Sequence, residues 1–209
     1  MNEKKADKRL PASQRREVIL DAATRTFVEF GYRGAHMDVI ARRADVTKPI
    51  LYRHFPSKLS LLLAILDRAG EELLGSLAKP VEEGSDWRKT IKNDVKAYLD
   101  FVENYGVGYS LIYTVGIIVD QEVAERMAAI RRDAVGIIAQ HIRLYVDPEV
   151  MPPEEIELIA FMIGGMAERA AFYWTSNEEL TRDVCERNLN KGMTSVLAGL
   201  PPRRRGHGE

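Results

Sequence analysis

The sequence predicts an all-α chain: an N-terminal three-helix bundle that includes a helix-turn-helix, then a larger helical domain, about nine helices in total. Three observations predict this. Apolar residues recur at intervals of three and four along most of the 209 residues. Proline, glycine and small polar residues punctuate them where helices start and stop. One apolar, β-branched run, 109–119, reads equally as a strand by periodicity, but no second strand exists to pair with it, and it is assigned to a buried helix.

Residues 1–12 form a basic arm with almost nothing apolar to anchor it. The first helix spans 15–31, where Val18, Ile19, Ala22, Ala23, Phe27 and Phe30 fall at helical spacing. Ser13 is placed to cap it, and Gly31 to stop it, because a left-handed residue there costs glycine little. A short helix follows at 37–44, with Met37, Ile40, Ala41 and Ala44 on one face and Asp38 in the first turn, where the helix dipole favours it. Asp45-Val-Thr47 reads as a tight turn, with Thr47 the N-cap of a second short helix at 48–54. Pro49 suits its first turn, since the missing N–H has no helical partner to lose. Ser57 is placed to cap the next helix, 59–77, an amphipathic run carrying Leu61, Leu62, Ile65, Leu66, Ala69, Leu73 and Leu77.

After a break at 80–86, a helix over 87–105 carries Ile91, Val95, Tyr98, Leu99 and Val102 on one side. Gly106 and Gly108 interrupt it before the 109–119 helix. Residues 121–146 are helical and end at Asp147-Pro148. Pro152-Pro-Glu-Glu155 starts a helix that leads to Trp174. Ser176 or Asn177 caps a last helix to about 197, and 200–209 reads as a disordered tail.

Composition excludes several classes. The single cysteine rules out an intramolecular disulfide framework and a Cys-based zinc site, and fits a reducing compartment. No apolar run reaches the roughly 18–20 residues of a membrane span. The charged N-terminus has no apolar signal core behind it. The expectation is a cytoplasmic protein with no membrane partner. No His, Asp and Glu cluster has metal-ligand spacing, and no glycine-rich phosphate loop is present, so neither metal nor cofactor is expected. Charge is unevenly spread: residues 1–60 hold 13 Lys/Arg against 7 Asp/Glu, net +6, and the remainder 17 against 24, net −7. A basic head on an acidic body points to nucleic acid.

The two short helices and their turn form a helix-turn-helix. In such a unit the second helix enters the major groove, and its N-terminal side chains meet base edges. Those residues here are Thr47, Lys48, Pro49 and Ile50. Lys48 can donate to guanine O6/N7 or a phosphate, and Pro49 and Ile50 can touch a thymine methyl. Tyr52, Arg53 and His54 lie further along and can donate to phosphates, which position the helix without specifying sequence. Lys58 opens the next helix, where its charge and the helix N–H groups can hold another phosphate. Packing readings remain open beside these: Tyr52 half-buried, His54 against Phe27, Lys58 simply solvated.

The stretch from Val18-Ile-Leu-Asp-Ala-Ala23 through Phe27-Val-Glu-Phe-Gly-Tyr32 to Leu51-Tyr-Arg-His-Phe-Pro-Ser-Lys58 resembles the N-terminal signature of the TetR family of bacterial transcriptional regulators, over roughly residues 13–66. The resemblance implies an all-α homodimer and a repressor that leaves its inverted-repeat operator when a small molecule enters the body. It sets the domains at 13–58 for DNA binding and 59–199 for effector binding and dimerisation, between the arm and the tail. Ala35 and His36 stand where the family often has hydroxyl residues, so one phosphate contact is missing or taken over by His36. Asp45 stands where glycine is usual; Asp tolerates the left-handed conformation better than most residues. Ile50 stands where Thr or a small polar residue is common.

Beyond residue 66 the signature fades. Tyr105, Tyr109 and Tyr113 fall at i, i+4 and i+8. With Phe101, Ile112, Ile117, Met127, Ile130 and Ile138 they make a large aromatic and aliphatic surface of the kind that lines ligand pockets, or an ordinary core. Phe161 and Gly165 join this expected effector set from the 153–174 helix. The resemblance puts the last two helices in a dimer interface, for which Met162, Met166, Phe172, Tyr173, Trp174, Leu189 and Met193 are the candidates. Parts of the body, Asp100-Phe-Val-Glu103, Gly108-Tyr-Ser-Leu-Ile112 and Ala170-Ala-Phe-Tyr-Trp174, look similar to actinobacterial members that sense long-chain acyl-CoA, which implies an elongated apolar tunnel. Two other readings stay in view. One is a DNA-binding protein without an effector. The other is a helical enzyme using Cys185 with a distant His141, although Cys185 has no activating base at useful spacing.

Overall fold

The structure is a computed structural model that describes residues 11–81, 86–114 (backbone alone from 105) and 121–203. Eight helices occur among the described residues: α1 Ala12–Gly34, α2 Met37–Arg43, α3 Lys48–His54, α4 Lys58–Leu77, α5 Trp87–Thr114, α6 Gln121–Arg143, α7 Pro153–Thr175 and α8 Arg182–Ala198. The chain is all-α, with one helix fewer than expected because α5 runs unbroken through Gly106 and Gly108. A glycine costs a helix only about 1 kcal/mol relative to alanine, too little to end one of this length by itself. No described helix is long and apolar enough to cross a membrane.

Two compact units divide at Ile65/Leu66, within α4 rather than at its start, where the sequence reading put the domain boundary. In the first, Ile19, Leu20, Phe27, Ile40, Leu51, Phe55 and Leu61 form a core under 4% exposed. Gly31 breaks α1 with φ 68° and ψ 168°, a region open in practice only to glycine. Ser13 lies inside the first turn of α1; Pro11 holds the cap position, its carbonyl accepting from the Arg15 N–H at 2.9 Å. Ser57 does cap α4. Its Oγ accepts from the Ser60 N–H at 3.0 Å while Ser60 Oγ accepts from the Ser57 N–H at 3.1 Å, a reciprocal cap built from two serines.

In the second unit α7 packs against α5, α6 and α8, and α8 against α5. The core centres on Val95, Leu99, Ala139, Ile142, Ile156, Ala160, Ile163, Cys185 and Leu189. Alanines at 139, 160 and 167 let these helices approach closely. Gly70 does the same for α4: a Cβ there would stand 2.8 Å from Ile130 Cδ1. Arg182 ties the start of α8 to α5, with Nη2 2.6 Å from Asp100 Oδ1 and Nη1 on Glu103. Hydrogen bonds from Lys96, and then from Arg182, hold the Asp100 carboxyl below its usual range.

Neither Ser176 nor Asn177 caps α8. Ser176 closes α7, Asn177 Oδ1 accepts from the Glu179 N–H, and Thr181 Oγ1 accepts from the Val184 N–H. The start of the expected tail is ordered. The Asp147 N–H donates to Pro201 O at 3.1 Å and the Arg203 N–H to Tyr145 O at 2.8 Å. Residues 204–209 lie outside the described residues.

Candidate nucleic-acid face and candidate effector cavity

The turn between α2 and α3 is made by Asp45, whose φ of 51° is left-handed. The Val46 N–H closes it on Ala41 O at 3.0 Å. Thr47 holds the N-cap position of α3 without a side-chain bond, and Pro49 sits in the first turn. Leu51 and Phe55 are buried, fixing the underside of α3 to the core. The opposite side presents Thr47, Lys48, Pro49, Tyr52 and Arg53 to solvent, with Ile50 half-buried. Lys48 Nζ is 2.6 Å from Asp38 Oδ2 of α2, and both side chains are 56% exposed.

Three expected DNA contacts are placed otherwise. Ala35 is 1% exposed, so no side-chain contact is open to it, whereas its neighbour His36 is exposed. Lys58 Nζ donates to Arg33 O at 3.3 Å and Ala35 O at 3.1 Å, and stands 4.7 Å from the Tyr32 ring centroid. Burial lowers its pKa. This lysine fastens α4 to the turn before α2, a tertiary role that its position in the sequence does not reveal. His54 turns inward: its Nε2 is buried without a hydrogen-bond partner among the described residues, and its ring lies 6.5 Å from that of Phe55. Burial first, then Arg53, Arg15 and Arg16, push its pKa down.

The second unit holds a cavity of about 110 Å³. Its lining draws on five helices, chiefly Leu73 and Leu77 of α4, Ile91, Val95 and Tyr98 of α5, Ala134 and Val135 of α6, Ile163 and Ala167 of α7, and Leu197 of α8. Phe101, Met127, Ile130 and Ile138, four of the candidate effector residues, also line it. Tyr105, Tyr109, Ile112 and Tyr113 belong to the part of α5 described by backbone alone, and Ile117 lies outside the described residues. Phe161 is 57% exposed and points elsewhere; Gly164, not Gly165, lines the cavity. On α7 the inward row is 160, 163, 164 and 167, so residues 161 and 165, four apart, share the outer side.

Polar, ionisable side chains enter the lining in two pairs. Between α5 and α6, His141 Nδ1 is 2.9 Å from Asp94 Oδ2, beside a 2.8 Å hydrogen bond joining Thr90 Oγ1 and Tyr145 Oη. Burial raises the Asp94 pKa, with the His141 hydrogen bond acting against it. Ten residues earlier on α6, about 15 Å along the helix, Arg131 Nε donates to Glu168 Oε1 of α7 at 2.6 Å. A more polar cleft of about 430 Å³, with Lys79, Lys89 and Lys96 in its wall, shares Leu77, Thr90, Asp94 and His141 with the cavity. Sequence reasoning missed Asp94, although one signal was present: it falls at i+3 from Ile91 and i+4 before Tyr98, inside the apolar stripe.

Leu158, Phe161, Met162 and Tyr173 expose an apolar face of α7 at 57–62% each. Two of these, Met162 and Tyr173, were expected at a dimer interface. Met166, Phe172 and Trp174 are half-buried. Leu189 and Met193 are 3% and 5% exposed and face the protomer's own core, so they are not available to a partner. The thiol–imidazole pair does not form: His141 is bound to Asp94, and burial, with Glu186 beside it, raises the Cys185 pKa, opposite to an activated nucleophile. Among the described residues no group of His, Cys, Asp and Glu has the arrangement of a metal site.

Comparison with known proteins agrees with both units. Residues 19–65 match the family described as bacterial regulatory proteins, tetR family, and residues 87–196 match the tetracyclin repressor-like C-terminal domain. The transcriptional activator FasR of Mycolicibacterium smegmatis is 32% identical over 170 residues, 81% of this chain and 76% of the relative. The transcriptional repressor KstR of Rhodococcus jostii is 43% identical over 60 residues, 29% of this chain and 28% of its own. A tetR-family transcriptional regulator from Streptomyces coelicolor superposes with a TM-score of 0.77 at 25% identity, over 90% of this chain and 82% of that one.

Proposed function

The chain belongs to the TetR family of bacterial regulatory proteins, and from that premise we propose that it is a cytoplasmic transcriptional repressor that binds an inverted-repeat operator as a homodimer and is controlled by a small hydrophobic effector. The observation that carries the reading is α3: its underside is locked by Leu51 and Phe55 while Thr47, Lys48, Pro49, Tyr52 and Arg53 are exposed on the side that would meet DNA. Two such helices, one per protomer, read half-sites about one DNA turn apart, ~34–36 Å. The dimer forms through Leu158, Phe161, Met162 and Tyr173 of α7.

The effector occupies the apolar cavity. A ligand shifts the protein only through different affinity for two states. Helix α7 supplies the means, because Ile163, Gly164 and Ala167 on its inner side line the cavity while its outer side carries the apolar face. The cavity is narrow against the roughly 300–1,000 Å³ of a usual ligand pocket. Its occupant therefore parts the helices, and a thin, flexible fatty acyl chain suits a lining that follows α6 from Met127 to Ile142.

Native mass spectrometry of the purified protein tests dimer and effector together. A dimer carrying the mass of an acyl species supports the reading. A dimer whose DNA affinity and melting temperature no fatty acid or acyl thioester alters leaves a DNA-binding protein without this effector, and a monomer at all concentrations overturns the two-half-site arrangement. A second reading, activation, is favoured by the relative named an activator. Transcription in vitro from the operator-bearing promoter separates the two by the sign of the change when protein is added.

A further inference from the structure

We propose that Asp38 and Lys48 act as one reading unit, which recognises the major-groove edge of a single G·C base pair in each half-site. Lys48 donates to the guanine and Asp38 accepts from the cytosine. The inference rests on the reading of the head as a sequence-specific DNA-binding unit.

The motif itself assigns Lys48 and leaves Asp38 without a part. In the structure the two are joined, Nζ to Oδ2, at 2.6 Å, and both are 56% exposed, so solvent and a ligand reach each of them. A carboxylate on a surface that approaches phosphates opposes binding unless it meets a donor there. In the major groove a G·C pair offers an acceptor, guanine O6, beside a donor, cytosine N4. These two atoms are themselves hydrogen-bonded within the pair, at roughly 2.9 Å. An ammonium and a carboxylate 2.6 Å apart match them in spacing and are opposite to them in sign.

An A·T pair also sets a donor beside an acceptor, but its flanking groups fit less well. Guanine adds N7, a second acceptor for the three-donor ammonium, where thymine adds a methyl group. Adenine puts its N7 acceptor next to the N6 donor, where it repels a carboxylate; cytosine has no such acceptor. Both ends of the unit therefore prefer G·C.

The test is selection from a randomised duplex DNA library with the full-length wild-type protein and with Asp38→Asn and Lys48→Ala, followed by titration of the selected sites. The wild type is expected to prefer G·C at one position of each half-site by about tenfold over A·T. Asn is suited to adenine N6/N7, so Asp38→Asn is expected to move the cytosine of that pair to adenine and leave the other positions unchanged. Lys48→Ala is expected to lose the preference at the same position. The inference is overturned if Asp38→Asn selects the wild-type sequence with the same preference. It is equally overturned if that variant binds every sequence more tightly by one factor, which would make Asp38 a plain repulsive charge. A wild-type protein that enriches no sequence overturns the parent reading and this inference with it.

Discussion

His141 Nδ1 stands 2.9 Å from Asp94 Oδ2, a polar contact between α5 and α6 in a cavity otherwise lined mainly by hydrocarbon. Burial disfavours the ionised carboxylate there, as the raised Asp94 pKa records. The pair therefore holds α5 and α6 in register at a desolvation cost that its own hydrogen bond and charge attraction work against.

Removing one partner leaves the other buried and unsatisfied. Asp94→Ala or His141→Ala is expected to destabilise the protein by about 1–3 kcal/mol, while the apolar double variant Asp94→Leu/His141→Leu returns toward wild type. Urea denaturation of all four proteins measures both effects. Single variants within a few tenths of a kcal/mol of wild type, on the order of a surface substitution, would show that the contact carries no stability.

Arg53 and Lys48 are expected to fail differently on DNA. Arg53→Ala should weaken binding to all sequences alike and lower the slope of log affinity against log salt by about 1. Lys48→Ala should cost roughly 1–3 kcal/mol more on the specific site than on a random duplex. Titrations of specific and random duplexes at several salt concentrations measure both. Equal losses on the two duplexes for Lys48→Ala would remove it from base reading.

Folding holds His54 neutral more strongly than the unfolded chain does, since burial and then Arg53, Arg15 and Arg16 lower its pKa from 6.5. The sign follows: the unfolded chain takes up the proton first, so this contribution to stability is complete above 6.5 and declines as pH falls through the depressed folded value. His54→Leu is expected to flatten the dependence of melting temperature on acidification. Parallel pH profiles for variant and wild type would refute the assignment.

Phe161→Glu places a charge in the exposed apolar face of α7, where Leu158 and Met162 flank it. Sedimentation at micromolar concentration is expected to move from dimer toward monomer, with operator affinity falling at least tenfold, about 1.4 kcal/mol, as half-sites bind singly. Because residue 161 is 57% exposed in the protomer, the helical content of the variant should be unchanged by circular dichroism. An unchanged dimer would place the interface elsewhere.

The head was the more legible part. Gly31, Asp45 and Pro49 each carry a local backbone requirement, and the structure meets all three with a positive φ, a positive φ and a first-turn proline. Periodicity also located the buried Leu51 and Phe55. What local patterns did not carry was long-range pairing: Lys58 with the carbonyls of residues 33 and 35, or Asp94 with His141. Helix α7 was misread for a different reason. With apolar residues on nearly every side, its sequence has no phase, and only packing decides that Gly164 faces inward and Phe161 outward. In α5 Gly106 and Gly108 read as a stop, although the helix continues through both.

The end of the described chain is hydrogen-bonded to the loop after α6, Asp147 to Pro201 and Arg203 to Tyr145, and Tyr145 also lines the cavity and bonds Thr90. A fluorophore or affinity handle fused directly after Arg203 is thus wired to the cavity wall, and a truncation before residue 200 frees that wall. Such a fusion serves as a built-in strain gauge for effector binding, whereas immobilising the protein by the same end would alter the response being measured.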